Sequence, residues 1–226
     1  WLDRLEAEHA NLRAAVDWGL AHDADLALHL CSGLRLFWRR MGYLGEGIAL
    51  LQRALASGAG SPAARARGLV ALSSLQNLRG DFAAAAANAE EARIAFALLE
   101  DRLGVAEALR RLAVYQLEQW QMTDALDPEQ FARARAPWAE ELGLRRDAGD
   151  LYGAAWALHD LGAAAMRAGD LDRASALFAE ALPTFETRGD HNALGFVFAN
   201  LGRVAARRDD NAAADLFRRA LEAFHA

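Results

Sequence analysis

The feature that most restricts this 226-residue chain is that it resembles itself about every forty residues. Trp156-Ala-Leu158-His-Asp-Leu161-Gly162 returns as Phe196-Val-Phe198-Ala-Asn-Leu201-Gly202, and more weakly as Glu107-Ala-Leu109-Arg-Arg-Leu112-Ala113. Each copy leads to a turn: Arg79-Gly80-Asp81-Phe82, Ala168-Gly169-Asp170-Leu171, and a degenerate Arg208-Asp209-Asp210. A second apolar segment follows, as in Ala174, Phe178 and Ala181, and in Ala213, Phe217 and Ala220. A period of this length belongs to stacked supersecondary units, which bury a core only by packing on their neighbours.

Within a unit the apolar residues recur three and four apart, as in Leu158, Leu161 and Ala165, then Leu171, Ala174, Phe178 and Ala181. That spacing predicts two helices, each with one apolar face. Gly at the turn suits the left-handed position that ends a helix, and the Asp after it is a good N-cap for the next. Small residues at Gly162, Ala174 and Ala181 let helices approach closely, with Phe178 filling the gap beside them. No segment alternates with a period of two. The prediction is an all-α chain, a right-handed α-α superhelix of about five helix pairs.

The pairs are expected at 25–57, 61–100, 101–148, 150–188 and 190–226. Residues 1–22 should form a capping or junction helix, with Leu2, Leu5, Leu12, Val16 and Leu20 on one face. The third pair carries an insertion, Met122 to Gln130, in which Asp127-Pro128-Glu129-Gln130 has the pattern of a capping box that restarts the helix. In the fifth pair Asp209-Asp210-Asn211 replaces Gly-Asp-apolar, and the second helix comes one residue early. Pro137 and Pro183 fall inside second helices and should kink them.

Composition excludes several chemistries. All 25 basic residues are Arg and Lys is absent, so a Walker-A loop, a Schiff base and a Ser-x-x-Lys pair are impossible. One Cys, Cys31, cannot form an internal disulfide and reads as a small buried hydrophobe. A formal charge of -6 argues against direct nucleic-acid contact, and no apolar run is long enough to cross a membrane. The opening residues have neither an initiator Met nor a signal pattern, so the chain reads as part of a longer cytoplasmic protein.

The pattern Leu161-Gly162, Gly169-Asp170, Ala174, Phe178, Ala181 resembles the tetratricopeptide (TPR) repeats, in the longer variety common in bacterial regulators. The segment Trp1-Leu2-Asp3-Arg4-Leu5-Glu6-Ala7-Glu8-His9-Ala10-Asn11-Leu12-Arg13-Ala14-Ala15 is similar to the stretch that joins a winged-helix region to the repeats in bacterial regulatory ATPases of the STAND class, including LuxR-type activators. The resemblance implies a non-catalytic sensor or docking arm of a transcription regulator. It implies ATP only for the parent protein and no cofactor in this segment.

In such arrays the first helix of each pair lines a concave face that receives a protein, a peptide or a small effector. Counting along those helices places Arg39, Arg40, Glu107, Arg110, Trp156, His159, Phe196, Arg203 and Arg207 toward it. Trp and Arg are common binding anchors. The alternative is that Trp156 and Phe196 seal the interface between repeats while the arginines pair with acids. A carboxylate clamp of the family's familiar kind needs Lys, which is missing. A structural alternative for the chain is a homo-oligomer scaffold, with Leu221 and Phe224 on the last helix offering an apolar end.

Other candidates carry less. His22, Asp23, Asp25 and His29 sit at a helix junction where polar residues are routine, and no metal is expected there. His159 and Asp160 are adjacent in a helix, so a solvated polar pair is expected rather than acid–base chemistry. Gly58-Ala59-Gly60 follows a helix rather than a strand and reads as a linker. Glu90-Glu91 and Glu140-Glu141 point to different sides of their helices and make no catalytic pair.

Overall fold

The computed structural model describes residues 2–120 and 128–226, with side chains at 2–115 and 135–226. All regular structure among them is helical. The helices are α1 (Leu2–Ala7), α2 (His9–His22), α3 (Ala24–Met41), α4 (Leu44–Ala56), α5 (Pro62–Arg79), α6 (Phe82–Leu98), α7 (Arg102–Trp120), α8 (Pro128–Asp147), α9 (Leu151–Arg167), α10 (Leu171–Arg188), α11 (His191–Arg207) and α12 (Ala212–His225). They pack in successive pairs within two compact units, Trp1–Gln119 and Trp120–Ala226. None of the described helices is long and apolar enough to cross a membrane.

One turn recurs and sets the length of the helices. After Arg79, Ala148, Ala168 and Arg188 a glycine takes positive φ: Gly80 at 86°, Gly149 at 70°, Gly169 at 81° and Gly189 at 63°. The following Asp N–H bonds back to a carbonyl five residues earlier, as in Asp81 to Gln76 (2.9 Å), Asp150 to Arg145 (2.9 Å), Asp170 to Ala165 (3.0 Å) and Asp190 to Phe185 (3.1 Å). This closes one helix. The Asp side chain then opens the next, Asp150 accepting from Gly153 N (2.9 Å), Asp170 from Arg173 N (3.1 Å) and Asp190 from Ala193 N (3.0 Å). Glu100 (φ 55°) and Asp209 (φ 53°) fill the left-handed position elsewhere, and Asp101 and Asp210 still bond back to Phe96 and Ala205. The degenerate fifth turn therefore keeps the geometry at the strain of a non-glycine residue.

The interior is built from small residues facing rings. Phe178 is fully buried, and a Cβ on Gly162 would lie 2.7 Å from its ring. Gly202 faces Phe217 in the same way. Phe217 meets its glycine 15 residues on and Phe178 16, the one-residue shift expected for the fifth pair. In α6 the buried positions are Ala85, Ala89, Ala92 and Phe96, one stripe at helical spacing. The first unit has its own core of Phe37, Trp38, Ile48, Leu51 and Leu75, against which Leu2, Leu5, Leu12 and Leu20 also pack.

One sequence expectation changes. The N-terminal helix is not continuous but breaks at Glu8 (φ −95°, ψ 7°). Both segments still turn their leucines to the same core, while Tyr43 Oη donates to Glu6 (2.7 Å) and ties α1 down independently of α2. Helices α8 and α10 run through Pro137 and Pro183 without interruption. The insertion at Met122 to Asp127 lies outside the described residues, and α8 restarts at Pro128 as the capping pattern predicts.

Two measurements test this packing. Phe178→Ala should cost its unit about 3–5 kcal/mol in urea denaturation, because the cavity beside Gly162 has no side chain to fill it. Cys31 is wholly buried in the first core, and burial pushes its thiol up to about 12. It should ignore a thiol reagent at neutral pH until the chain is unfolded.

Candidate binding groove

In the first unit, residues of α3, α5 and α7 come together around shared cavities. They bound a cavity of about 540 Å³ lined by Ser32 and Arg35 of α3, Arg67, Val70 and Ala71 of α5, and Leu103, Gly104 and Glu107 of α7, with Phe96 and Asp101. A second cavity of about 250 Å³ lies on the same three helices, between Arg39, Ser73, Ser74, Asn77, Leu78, Arg111 and Val114. These volumes suit a few side chains of a ligand. The close approach at Gly104 has a local cause, since a Cβ there would lie 2.3 Å from the Phe96 ring.

The charges are unequal. Glu107 accepts from Arg111 (2.5 Å) and lies 3.8 Å from Arg35. Burial alone would raise the Glu107 carboxyl, but Arg111, Arg110 and Arg35 overcome it and hold it at about 2. Burial lowers the Arg35 guanidinium, and Arg111, Arg110 and Arg39 lower it further against the opposing pull of Glu107. Asp101 is engaged as the cap of α7, accepting from Gly104 N (2.8 Å). Arg39 and Arg67 have no hydrogen bond or ion pair among the described residues. Buried Asn77 Oδ1 and Arg111 Nε on the wall also lack a partner there.

Of the residues placed toward a groove from sequence, Glu107 lines the larger cavity and Arg39 the smaller, while Arg110 lines neither, though its charge reaches Glu107. Arg40 is exposed on α3 but lines neither cavity. Sequence reasoning missed Arg35, Arg67, Arg111 and Leu103. The first was legible as the residue one helical turn before Arg39.

The remaining candidates lie in the second unit, on α9 and α11, and are held by internal partners. Trp156 is half-buried against Phe185 (5.1 Å between ring centroids) and Phe196 (6.5 Å). Phe196 is 44% exposed and meets Phe224 at 5.3 Å. Arg207 donates to Met166 O (2.6 Å) and Arg203 to Asn200 Oδ1 (2.8 Å). His159 corrects an expectation: it is not half of a solvated pair. Its Nδ1 lies 3.0 Å from Asp160 Oδ1, with only 12% and 16% of the two side chains exposed. Its Nε2 lies 3.0 Å from Asn200 Nδ2. Arg203, Asn200, His159 and Asp160 thus form one donor-to-acceptor chain when the ring is the neutral Nδ1–H tautomer. Such a chain joins α9 to α11.

The residues once considered for metal have other duties. His22 Nδ1 lies 2.8 Å from Trp18 O, His29 Nδ1 lies 2.7 Å from Asp25 O, Asp23 caps α3, and Asp25 accepts from Ser61 N (2.5 Å). No group of three potential ligands converges among the described residues. Glu140 is exposed whereas Glu141 is buried, bonded to Arg145 (2.7 Å), which also reaches Asp150 (2.7 Å). This ion triad staples α8 to the cap of α9 and was not anticipated.

Residues 153–225 match the tetratricopeptide-repeat family model. The fold is also that of BtubC (BKLC) from P. vanneervenii, with 21% identity over 98% of this chain and 91% of that one and a TM-score of 0.78. The apo form of RapI aligns over 87% of this chain and 69% of its own at 16% identity, TM-score 0.71. YrrB, a TPR protein with an unusual peptide-binding site, aligns over 92% of each chain at 16% identity, TM-score 0.50. Identities this low speak for the fold. No curated protein matches the sequence.

The depressed Glu107 carboxyl has a measurable sign. Its contribution to stability is complete above about 4.5, the ordinary value, and is lost as pH falls toward about 2. Glu107→Gln should flatten this part of the pH dependence of thermal melting relative to the parent chain.

Proposed function

We propose, from the tetratricopeptide-repeat match of residues 153–225 and the helical array that precedes it, that this chain is a non-catalytic protein-interaction module. Its groove on α3, α5 and α7 takes an extended segment of a partner. The observation that carries this reading is the open cavity of about 540 Å³ on those helices, in which Val70 and Leu103 alternate with charged side chains. Peptide binding in YrrB, a protein of the same fold, supports it. In the second unit, Phe196 and the Arg203 to Asp160 chain offer a separate contact surface.

The wider setting is part of the same proposal. The segment from Leu2 to Ala15, similar to the junction in STAND-class regulators, supports a place as the sensor or docking arm of a cytoplasmic bacterial ATPase that regulates transcription. ATP would be held by another part of such a protein, since its phosphate loop needs a Lys.

Random-peptide display against the chain tests the groove. Selected peptides should lose about tenfold in affinity on the double change Arg35→Ala with Leu103→Ser, at unchanged helical circular dichroism. Selected peptides that bind the folded double variant as they bind the parent move the site off this groove.

A second reading is favoured by α12, where Leu221 is 61% and Phe224 45% exposed. An apolar end of this kind would suit a homo-oligomer scaffold. Sedimentation that shows a monomer at every concentration counts against it.

A further inference from the structure

Among the described residues, the α3, α5, α7 groove gathers more positive charge than its acids neutralise. Among the described residues, Arg35, Arg39, Arg67 and Arg111 line its two cavities against Glu107 and Asp101, and Asp101 is already spent on the α7 cap. The remainder of the chain is acidic enough to bring the total to -6, so this is a local reversal of sign. The cations are partly sheltered: the Arg35 side chain is 34% exposed and that of Arg111 18%. Sheltered guanidinium groups crowded together repel one another, and a visiting carboxylate would relieve that repulsion.

We propose that this groove recognises an acidic peptide segment. Arg35, Arg39 and Arg67 receive its side-chain carboxylates, and Glu107 is a resident counter-ion that competes with the ligand for Arg35. The proposal rests on the peptide-groove reading above and names the chemistry of the partner.

Three observations favour an acidic peptide over other anions. First, Arg39 and Arg67 have no partner among the described residues. Among the described residues Arg35 has only the 3.8 Å approach of Glu107, whose tight bond goes to Arg111. Second, Ser73, Ser74 and Asn77 line the neighbouring cavity, neutral hydrogen-bonding side chains that suit a peptide backbone better than a phosphate. Third, Val70, Ala71 and Leu103 supply an apolar strip between the cations, which a polyphosphate would not cover.

Glu107 gives the idea a second, opposite sign. It already sits where a ligand carboxylate would approach Arg35, and so it weakens the attraction for every incoming acid. Removing its charge should therefore strengthen binding, whereas removing a cation should weaken it.

The test uses the whole chain and fluorescence anisotropy with a labelled hexaglutamate peptide. Hexaglutamine and an oligothymidylate of similar charge serve as comparison probes. Hexaglutamate should bind at low salt and be released as salt is raised. Arg35→Ala and Arg67→Ala should each weaken it about tenfold, whereas Arg40→Ala, on the same helix but outside both cavities, should leave it unchanged. Glu107→Gln should tighten it about threefold or more. If that variant is unfolded, the contrast between the exposed positions Arg67 and Arg40 still decides. Equal binding of hexaglutamine or of the oligothymidylate overturns the proposal, as does insensitivity to Arg67→Ala. If hexaglutamate fails while neutral display-selected peptides still depend on Arg35 and Leu103, the acidic ligand is wrong and the peptide groove stands. If neither class of peptide binds, both fall.

Discussion

The helices α7, α9, α10, α11 and α12 depend on a turn of a single kind. A residue in the left-handed region ends one helix, the next N–H bonds back five residues, and an Asp side chain opens the following helix. Asp150, Asp170, Asp190 and Asp210 are spaced 20 residues apart, and Asp81 and Asp101 repeat that step in the first unit. Turns at this constant spacing keep the apolar stripes of successive helices in register with the neighbours. Small-against-aromatic contacts such as Gly162 with Phe178 then recur without renegotiation. From Asp101 to Asp150 there are 49 residues, nine more than two such steps, and nine is the length of the segment from Met122 to Gln130. The insertion is thus absorbed between turns rather than within them.

A rigid array of this kind spends its buried faces on itself and leaves the outer faces of the first helices for other uses. In the second unit those faces are largely committed. Trp156 packs among aromatic rings, Arg207 holds a backbone carbonyl, and His159 links Asp160 to Asn200. In the first unit Arg111 is bonded to Glu107, but Arg39 and Arg67 have no partner among the described residues. That difference, more than the number of arginines, distinguishes the two sets of first helices.

Much of this was readable in advance. The all-helical pairs, the turn residues and the restart at Pro128 follow from period, glycine chemistry and capping, which act within a few residues of chain. Counting along helices picked out Arg39 and Glu107, each of which lines one of the two cavities. What counting could not supply was the state of each group. His159 and Asp160 looked too close in sequence to meet, and they meet because Asn200 from another helix fixes the ring. The break at Glu8 was hidden because the leucines on either side keep one helical period, and α1 has its own tertiary tie, from Tyr43 to Glu6. The Glu141, Arg145, Asp150 staple was hidden for the same reason, since burial of Glu141 depends on what packs over α8.

By itself, then, the sequence determined the class of fold and the absence of any lysine chemistry. Periodicity, caps and composition are local properties, and local physics suffices to read them. Only the tertiary structure decided which arginines are spent and which are left. An Arg on α3 is neutralised or not according to what α5 and α7 bring beside it, and the chain separates those helices by tens of residues. Electrostatic pairing falls off over a few ångströms, so it is settled by distance in space rather than by distance along the chain.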